Sequence, residues 1–291
     1  MSGFDYISCR SVDEACEALL QEGAQVIAGG TDLLIGLRRP DARTPRLVVD
    51  VSRIKALREI RADHGRITLG AAVTHAEIAS SDLLRSAAPL LASAASNVGS
   101  PQIRNRGTVG GNIMNAAACA DTIPPLIALG AVAILASGAG TRALPLAELF
   151  EGPYRTRARR GEVLTAVEFP PLPPGSGCAF VKLGRRNALS IARLSVAAVL
   201  VPDHQGSIAG ARIVPGAAVP VWQRFPEAEG VLVGRKPTVE LFAEAGKRAA
   251  AEMVGVTGRR WSTEYKEPVL AVLVRRALEA ASTSIRTAEG S

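Results

Sequence analysis

Two stretches of this sequence pair glycines in a way that lets a backbone, rather than a side chain, do the binding. The first is Ala28-Gly29-Gly30-Thr31-Asp32-Leu33, directly after the apolar run "QVI"; the second is Thr108-Val109-Gly110-Gly111-Asn112. Glycine permits φ > 0 and lets main-chain N–H groups come close to a ligand, so each stretch can cradle a phosphate. An ordinary strand-to-helix turn has the same composition, and one stretch alone does not separate the two readings. Together, two converging fans of N–H donors suit a pyrophosphate flanked by two larger groups, which is a dinucleotide. Neither stretch is the G-x-G-x-x-G turn of a Rossmann unit, and no Gly-Lys-Ser/Thr is present, so triphosphate hydrolysis has no support.

The elements that would position these stretches follow from periodicity. Ser11 caps a helix over "SVDEACEALLQEG", and "AQVIAGG" reads as a short buried strand ending in the first glycine pair. Residues 46–52 and 65–73 read as further strands, and "THAEIASSDLLRSAAPLLASAASNV" as two short helices. The second glycine stretch lies in a segment that reads as irregular, with strands after it at "AVAILAS" and "GEVLTAVEFP". "PPLPPGSG" packs prolines and glycines too densely for helix or sheet and marks a boundary. The expected division is 1–174, with subdomains of about 1–57 and 58–174, and 175–291. In the latter, three strands form an antiparallel meander and two amphipathic helices close the chain, with Val239, Leu241, Phe242 and Ala245 on one stripe.

Composition narrows the function classes. Lys and Arg total 34 against 27 Asp and Glu, a net charge of +7, and aromatics are only 4%. A nucleic-acid-binding protein predicts a basic stripe interleaved with aromatics, which this chain does not supply. Cys9, Cys16, Cys119 and Cys178 form no C-x-x-C pair, so neither a disulfide framework nor a metal site is indicated. No signal-like N-terminus and no long apolar run is present, which predicts a soluble, cytoplasmic protein without a membrane span. The basic run Arg155 to Arg160 reads equally as a partner-docking surface or a solvated loop.

Several longer stretches carry a resemblance: "AGGTDLLIGL", "IRNRGTVGGNIMNAAACADTIPPLIALGA", "FEGPYRTRARRGEVLTAVEFP", "FVKLGRRNALSIARLSVAAVL" and "YKEPVLAVLVRRALEAA". In this order and spacing the chain resembles, over essentially its whole length, the FAD-binding medium subunit of the molybdenum hydroxylases, the family of xanthine dehydrogenase and carbon monoxide dehydrogenase. The resemblance implies an α+β fold of the vanillyl-alcohol-oxidase type: two α/β subdomains that clasp FAD, plus a C-terminal antiparallel sheet with helices. It implies that Ala28 to Leu33 and Thr108 to Asn112 hold the pyrophosphate through backbone N–H groups. Asp121 matches an aspartate that hydrogen-bonds the cofactor, although its position before "TIPP" also suits a helix cap. Leu164 and Lys182 match positions beside the isoalloxazine, where Lys182 would stabilise negative charge on the reduced ring; without the match, a strand-edge surface lysine is the plainer reading.

The same resemblance implies an oxidoreductase subunit active only within a complex. Molybdenum-pterin would sit on a large partner subunit and [2Fe-2S] clusters on a small one, in a dimer of heterotrimers, with NAD or a quinone as electron acceptor. The FAD is expected to be non-covalent, because His64, His75 and His204 sit in turn or helix-start contexts away from the glycine stretches. No metal is expected on this chain. Two departures stand out: Val98 where many relatives have an aromatic, and "RRNALSIA" without the acidic residue common before "IA". A free-standing FAD-dependent oxidoreductase of the same fold is the alternative, and would need a catalytic acid or base that the sequence does not display.

Overall fold

The computed structural model describes residues 3–39, 44–186 and 189–285; Asn187 and Ala188 of "RRNALSIA" lie outside them. Its N-terminal unit is a three-stranded parallel sheet of order β1-β3-β2, with β1 Asp5–Ser8, β2 Ala24–Ile27 and β3 Leu47–Asp50. Helix α1, Val12–Ala18, begins where Ser11 Oγ accepts the Glu14 amide, as its spacing predicts. Strand β3 is buried throughout, but β2 is not the buried strand expected: Gln25 and Val26 are exposed, because β2 is the sheet edge on the side where the first glycine stretch leaves it. Helix α2, Leu33–Leu37, follows that stretch directly.

The middle unit is an antiparallel sheet of order β4-β5-β10-β6-β7, formed by Ile60–Asp63, Arg66–Gly70, Val163–Phe169, Val132–Ser137 and Gly140–Pro145. Helices α3 His75–Ser80, α4 Asp82–Ala87 and α5 Pro89–Ser96 replace the two expected. Ser81 ends α3 and caps α4, and Pro89 opens α5, so one apolar pattern is cut twice. The short α6, Pro101–Arg104, precedes α7, Val109–Asn115, and α8, Ile123–Ala128. The hairpin β8 Phe150–Gly152 and β9 Arg155–Thr156 completes this unit.

The last unit is the expected meander β11-β12-β13, Gly177–Leu183, Leu194–Pro202 and Ile208–Gly216. Helix α9, Pro226–Leu232, was not anticipated; it precedes α10, Val239–Thr257, and α11, Thr263–Thr283. Strand β12 reads as an unbroken apolar run because both faces are covered. Ala197 and Val199 pack with the core of the middle unit, whereas Val196, Ala198 and Leu200 pack with α9, α10 and α11. On α10, Leu241, Phe242 and Ala245 are buried as the stripe predicts, but Val239 at the first position is exposed. Among the described residues no helix is long and apolar enough to cross a membrane. The result is mixed α and β, with a C-terminal antiparallel sheet under helices.

Candidate functional site

The two glycine stretches meet. A cleft of about 970 Å³ is walled by Ala28 to Leu33 on one side and by Gly107, Thr108, Gly110, Gly111 and Asn112 on the other. Gly29 explains how close they come: a Cβ there would lie 1.9 Å from the carbonyl oxygen of Arg106. Only glycine fits, and the reason is packing of one stretch on the base of the other. Gly30 has φ +74°, the second constraint that glycine meets at little cost.

The backbone chemistry of the two stretches differs. The amides of Gly29, Gly30, Thr31 and Asp32 donate to no acceptor among the described residues, so this stretch is a fan of unpaired N–H groups beside the cleft. The second stretch corrects the expectation of an irregular loop with free donors: it is the start of helix α7. Thr108 caps it by accepting the Gly111 amide on Oγ1 at 3.0 Å. The Val109 amide goes to Val73 O, that of Gly110 to Ala71 O, and that of Asn112 to Thr108 O. With those four donors spent, the second stretch offers the cleft shape, side chains and at most the Thr108 amide. Val109 is fully buried in the core rather than turned to the cleft, and a Cβ on Gly110 would collide with Ala71. Gly111 is exposed on the cleft, and Asn112 anchors its Oδ1 on the Thr122 hydroxyl at 2.8 Å, which leaves its NH₂ free of those bonds.

Leu164, on β10, lines this cleft, but Lys182 and Asp121 do not. Lys182, on β11, lines a second cavity of about 440 Å³ together with Asn97, Gly99, Arg104 and Arg186. The segment 97–104 contributes to both, with Val98 and Ile103 facing the cleft. Leu164 and Lys182, each expected beside the isoalloxazine, thus line different cavities. Asp121 accepts from Lys182 Nζ at 2.6 Å, and both side chains are nearly buried. Lys182 also donates to Asn97 O at 2.9 Å, so it is not a strand-edge surface lysine. Nor is Asp121 a helix cap: α8 starts after Thr122 with no side-chain cap. Burial pushes the Asp121 carboxyl up to about 6 even though Lys182 pulls it down, and its Oδ1 is buried without a partner.

Sequence reading missed three contributors to the wall. Arg159 and Arg160 line the cleft, so part of the basic run faces inward to the site. His75, expected to stand apart from the glycine stretches, is buried beside the second one; its amide donates to Gly107 O at 3.0 Å. An isolated bridge between Thr74 and Thr108 brings these distant segments together, a pairing that no local pattern announces. Among the described residues no cluster of His, Cys, Asp and Glu is arranged to hold a metal ion.

With this geometry in hand, comparison with known proteins is informative. Residues 2–172 match the family described as "FAD binding domain in molybdopterin dehydrogenase", and residues 179–281 match "CO dehydrogenase flavoprotein C-terminal domain". The chain is 34% identical to the 6-hydroxypseudooxynicotine dehydrogenase complex subunit alpha of Paenarthrobacter nicotinovorans, covering 94% of this chain and 93% of that protein. It is 31% identical to the carbon monoxide dehydrogenase medium chain of Hydrogenophaga pseudoflava, covering 96% of each. Among solved structures, carbon monoxide dehydrogenase from Hydrogenophaga pseudoflava superposes with a TM-score of 0.90 at 30% identity, over 97% of this chain and 98% of that one. Fold, paired glycine stretches and near-complete coverage agree: the chain belongs to the family of FAD-binding medium subunits of the molybdenum hydroxylases.

Proposed function

We propose that this chain is the electron-transfer subunit of a multi-subunit molybdenum hydroxylase and that the cleft between the two glycine stretches seats its FAD. The observation that carries the proposal is the row of four unpaired amides, Gly29 to Asp32, opening onto a cleft of about 970 Å³. Four orphan donors in one wall are costly unless an acceptor, water or anion satisfies them, and a pyrophosphate is such an acceptor. When bound, FAD supplies reversible two-electron redox chemistry that can also proceed by single electrons.

The chain's own residues then have distinct roles. The amides of Gly29, Gly30, Thr31 and Asp32 bind phosphate oxygens, flanked by Ala28 and Leu33. Gly111 keeps the opposite wall low, the Asn112 side-chain NH₂ supplies a directed donor, and Thr108 and Val109 hold that wall in place from the α7 start and the core. Leu164 gives an apolar surface for a flat ring. Lys182 is a cation held by Asp121 and Asn97 O, available to balance negative charge at the second cavity. Asp121, which does not line the cleft, acts by holding Lys182 in place.

The remaining assignments belong to the assembly. A large subunit would hold molybdenum-pterin, and a small one the [2Fe-2S] clusters that feed electrons to this chain, in a dimer of heterotrimers in the cytoplasm. NAD or a quinone would accept them. The expected division at 174/175 leaves the cleft within the first part and Lys182 in the second. Purified chain should bind FAD stoichiometrically and without a covalent link, so that acid precipitation releases all the flavin. Failure to bind FAD in an otherwise folded sample would refute the reading.

A further inference from the structure

Several titratable side chains line the cleft outside these roles, and His75 is the most deeply buried of them. His75 opens α3 and is only 2% exposed, yet it is part of the cleft lining. Its Nδ1 is buried without a hydrogen-bond partner, which is uncommon for a core histidine. The ring's Cδ2 packs on Gly107, 3.2 Å from where a side chain at that position would begin, and Thr31 Oγ1 is 3.5 Å from the same point. The imidazole, the base of the second glycine stretch and the hydroxyl of the first therefore meet at one spot. Cδ2 and Nε2 are adjacent ring atoms, so the edge turned to this spot bears Nε2, and Nδ1 lies across the ring.

Burial, reinforced by the Arg104 guanidinium, pushes the His75 imidazole down to about 4, so it is neutral at pH 7. Of the helices packed on α3, α6 contributes Arg104, α4 contributes Asp82 and Arg85, which pair with each other, and α5 has no charged residue. On α3 itself, Glu77 is held by Thr74 and Arg58. A neutral imidazole has one donor and one acceptor nitrogen. With the proton on Nε2, the cleft gains a donor without a fixed charge.

We propose that His75 is a ligand-binding residue of this cleft, its Nε2–H donating to a phosphate oxygen of the bound dinucleotide beside the amides of Gly29 to Asp32. The inference rests on the FAD reading above. It gives a role to the imidazole edge that lies in the wall where both glycine stretches meet.

The test uses the full chain labelled with ¹⁵N-histidine. Only three histidines are present, and His64 and His204 are exposed, so the His75 ring signals can be distinguished. FAD, ADP and inorganic pyrophosphate are titrated separately. The expected result is an Nε2-protonated ring whose resonances move with all three. Its titration should rise from about 4 on binding, since a neighbouring phosphate favours the imidazolium. His75→Phe should weaken ADP and FAD about tenfold or more, with most of the affinity restored in His75→Gln, which keeps a donor. If the Phe variant does not fold, the wild-type spectra decide alone. FAD bound with the His75 ring signals unmoved, or bound equally tightly by the Phe variant, overturns this inference and leaves the FAD reading intact. A folded chain that binds none of the three probes overturns both.

Discussion

Gly29 and the titrating pair His75 and Asp121 hold most of what single residues can test. Gly29→Ala would put a Cβ 1.9 Å from Arg106 O, so the two stretches must separate. Loss of about 2 kcal/mol of stability and at least a tenfold weaker FAD affinity are expected, measured by chemical denaturation and flavin fluorescence titration. The pH dependence has opposite signs at the other two positions. Asp121 rises from 3.8 to about 6 on folding, so its favourable contribution is complete below about 3.8 and is lost as pH rises through 6. His75 falls from 6.5 to about 4, so its contribution is complete above about 6.5 and is lost as pH falls through 4. Between pH 4 and 6, Asp121→Asn should make stability climb more steeply with pH than in wild type, and His75→Gln should make it climb less. Urea unfolding across that range checks both, and matching slopes in all three proteins would contradict them. The glycine pairs were legible in the sequence by type and spacing, and Asp121 only through the family resemblance. His75 was not, because its meaning depends on the Thr74 to Thr108 bridge, a contact between segments far apart in the chain.

At the level of elements, α7 shows where sequence reasoning reached its limit. Two adjacent glycines argue against helix by propensity, and the segment reads as irregular. The fold overrides this because Thr108 caps the turn, Gly110 must be bare against Ala71, and the first-turn amides find acceptors at Ala71 and Val73. Helix start and close packing together outweigh a propensity cost of about 1 kcal/mol per glycine. Thr108→Ala should cost about 1 kcal/mol through the lost cap, with a smaller effect on FAD affinity than Gly29→Ala. Strands were easier to find. Strand β12 and its neighbours stand out as apolar runs bounded by turn residues, whereas the edge position of β2 depends on sheet order, which a sequence window does not contain. The cut of one apolar pattern into α3, α4 and α5 was hidden for a related reason: Ser81 and Pro89 are compatible with a helix start, but their effect depends on what packs beneath.

Across the whole molecule, the Asp121–Lys182 pair ties the C-terminal sheet to the segment before α8, and β12 is shared between two cores. Removing only Lys182 leaves a buried carboxylate uncompensated. Lys182→Met should therefore destabilise by about 3 kcal/mol at pH 7, and adding Asp121→Asn should recover a large part of it. A double-mutant cycle by calorimetry gives that coupling, and strict additivity would contradict it. The family was recognisable from five motifs in order, and the α+β architecture with them, but the separation of Leu164 and Lys182 into different cavities was visible only in three dimensions. On the proposal that this cleft holds FAD through the Gly29 to Asp32 amides, filling its opposite wall must abolish binding. FAD is titrated into the purified full chain and into Gly111→Trp, following the flavin visible spectrum and fluorescence, with circular dichroism to verify folding. Wild type should bind one equivalent with a perturbed flavin band and the folded variant none; equal binding by both would contradict the account.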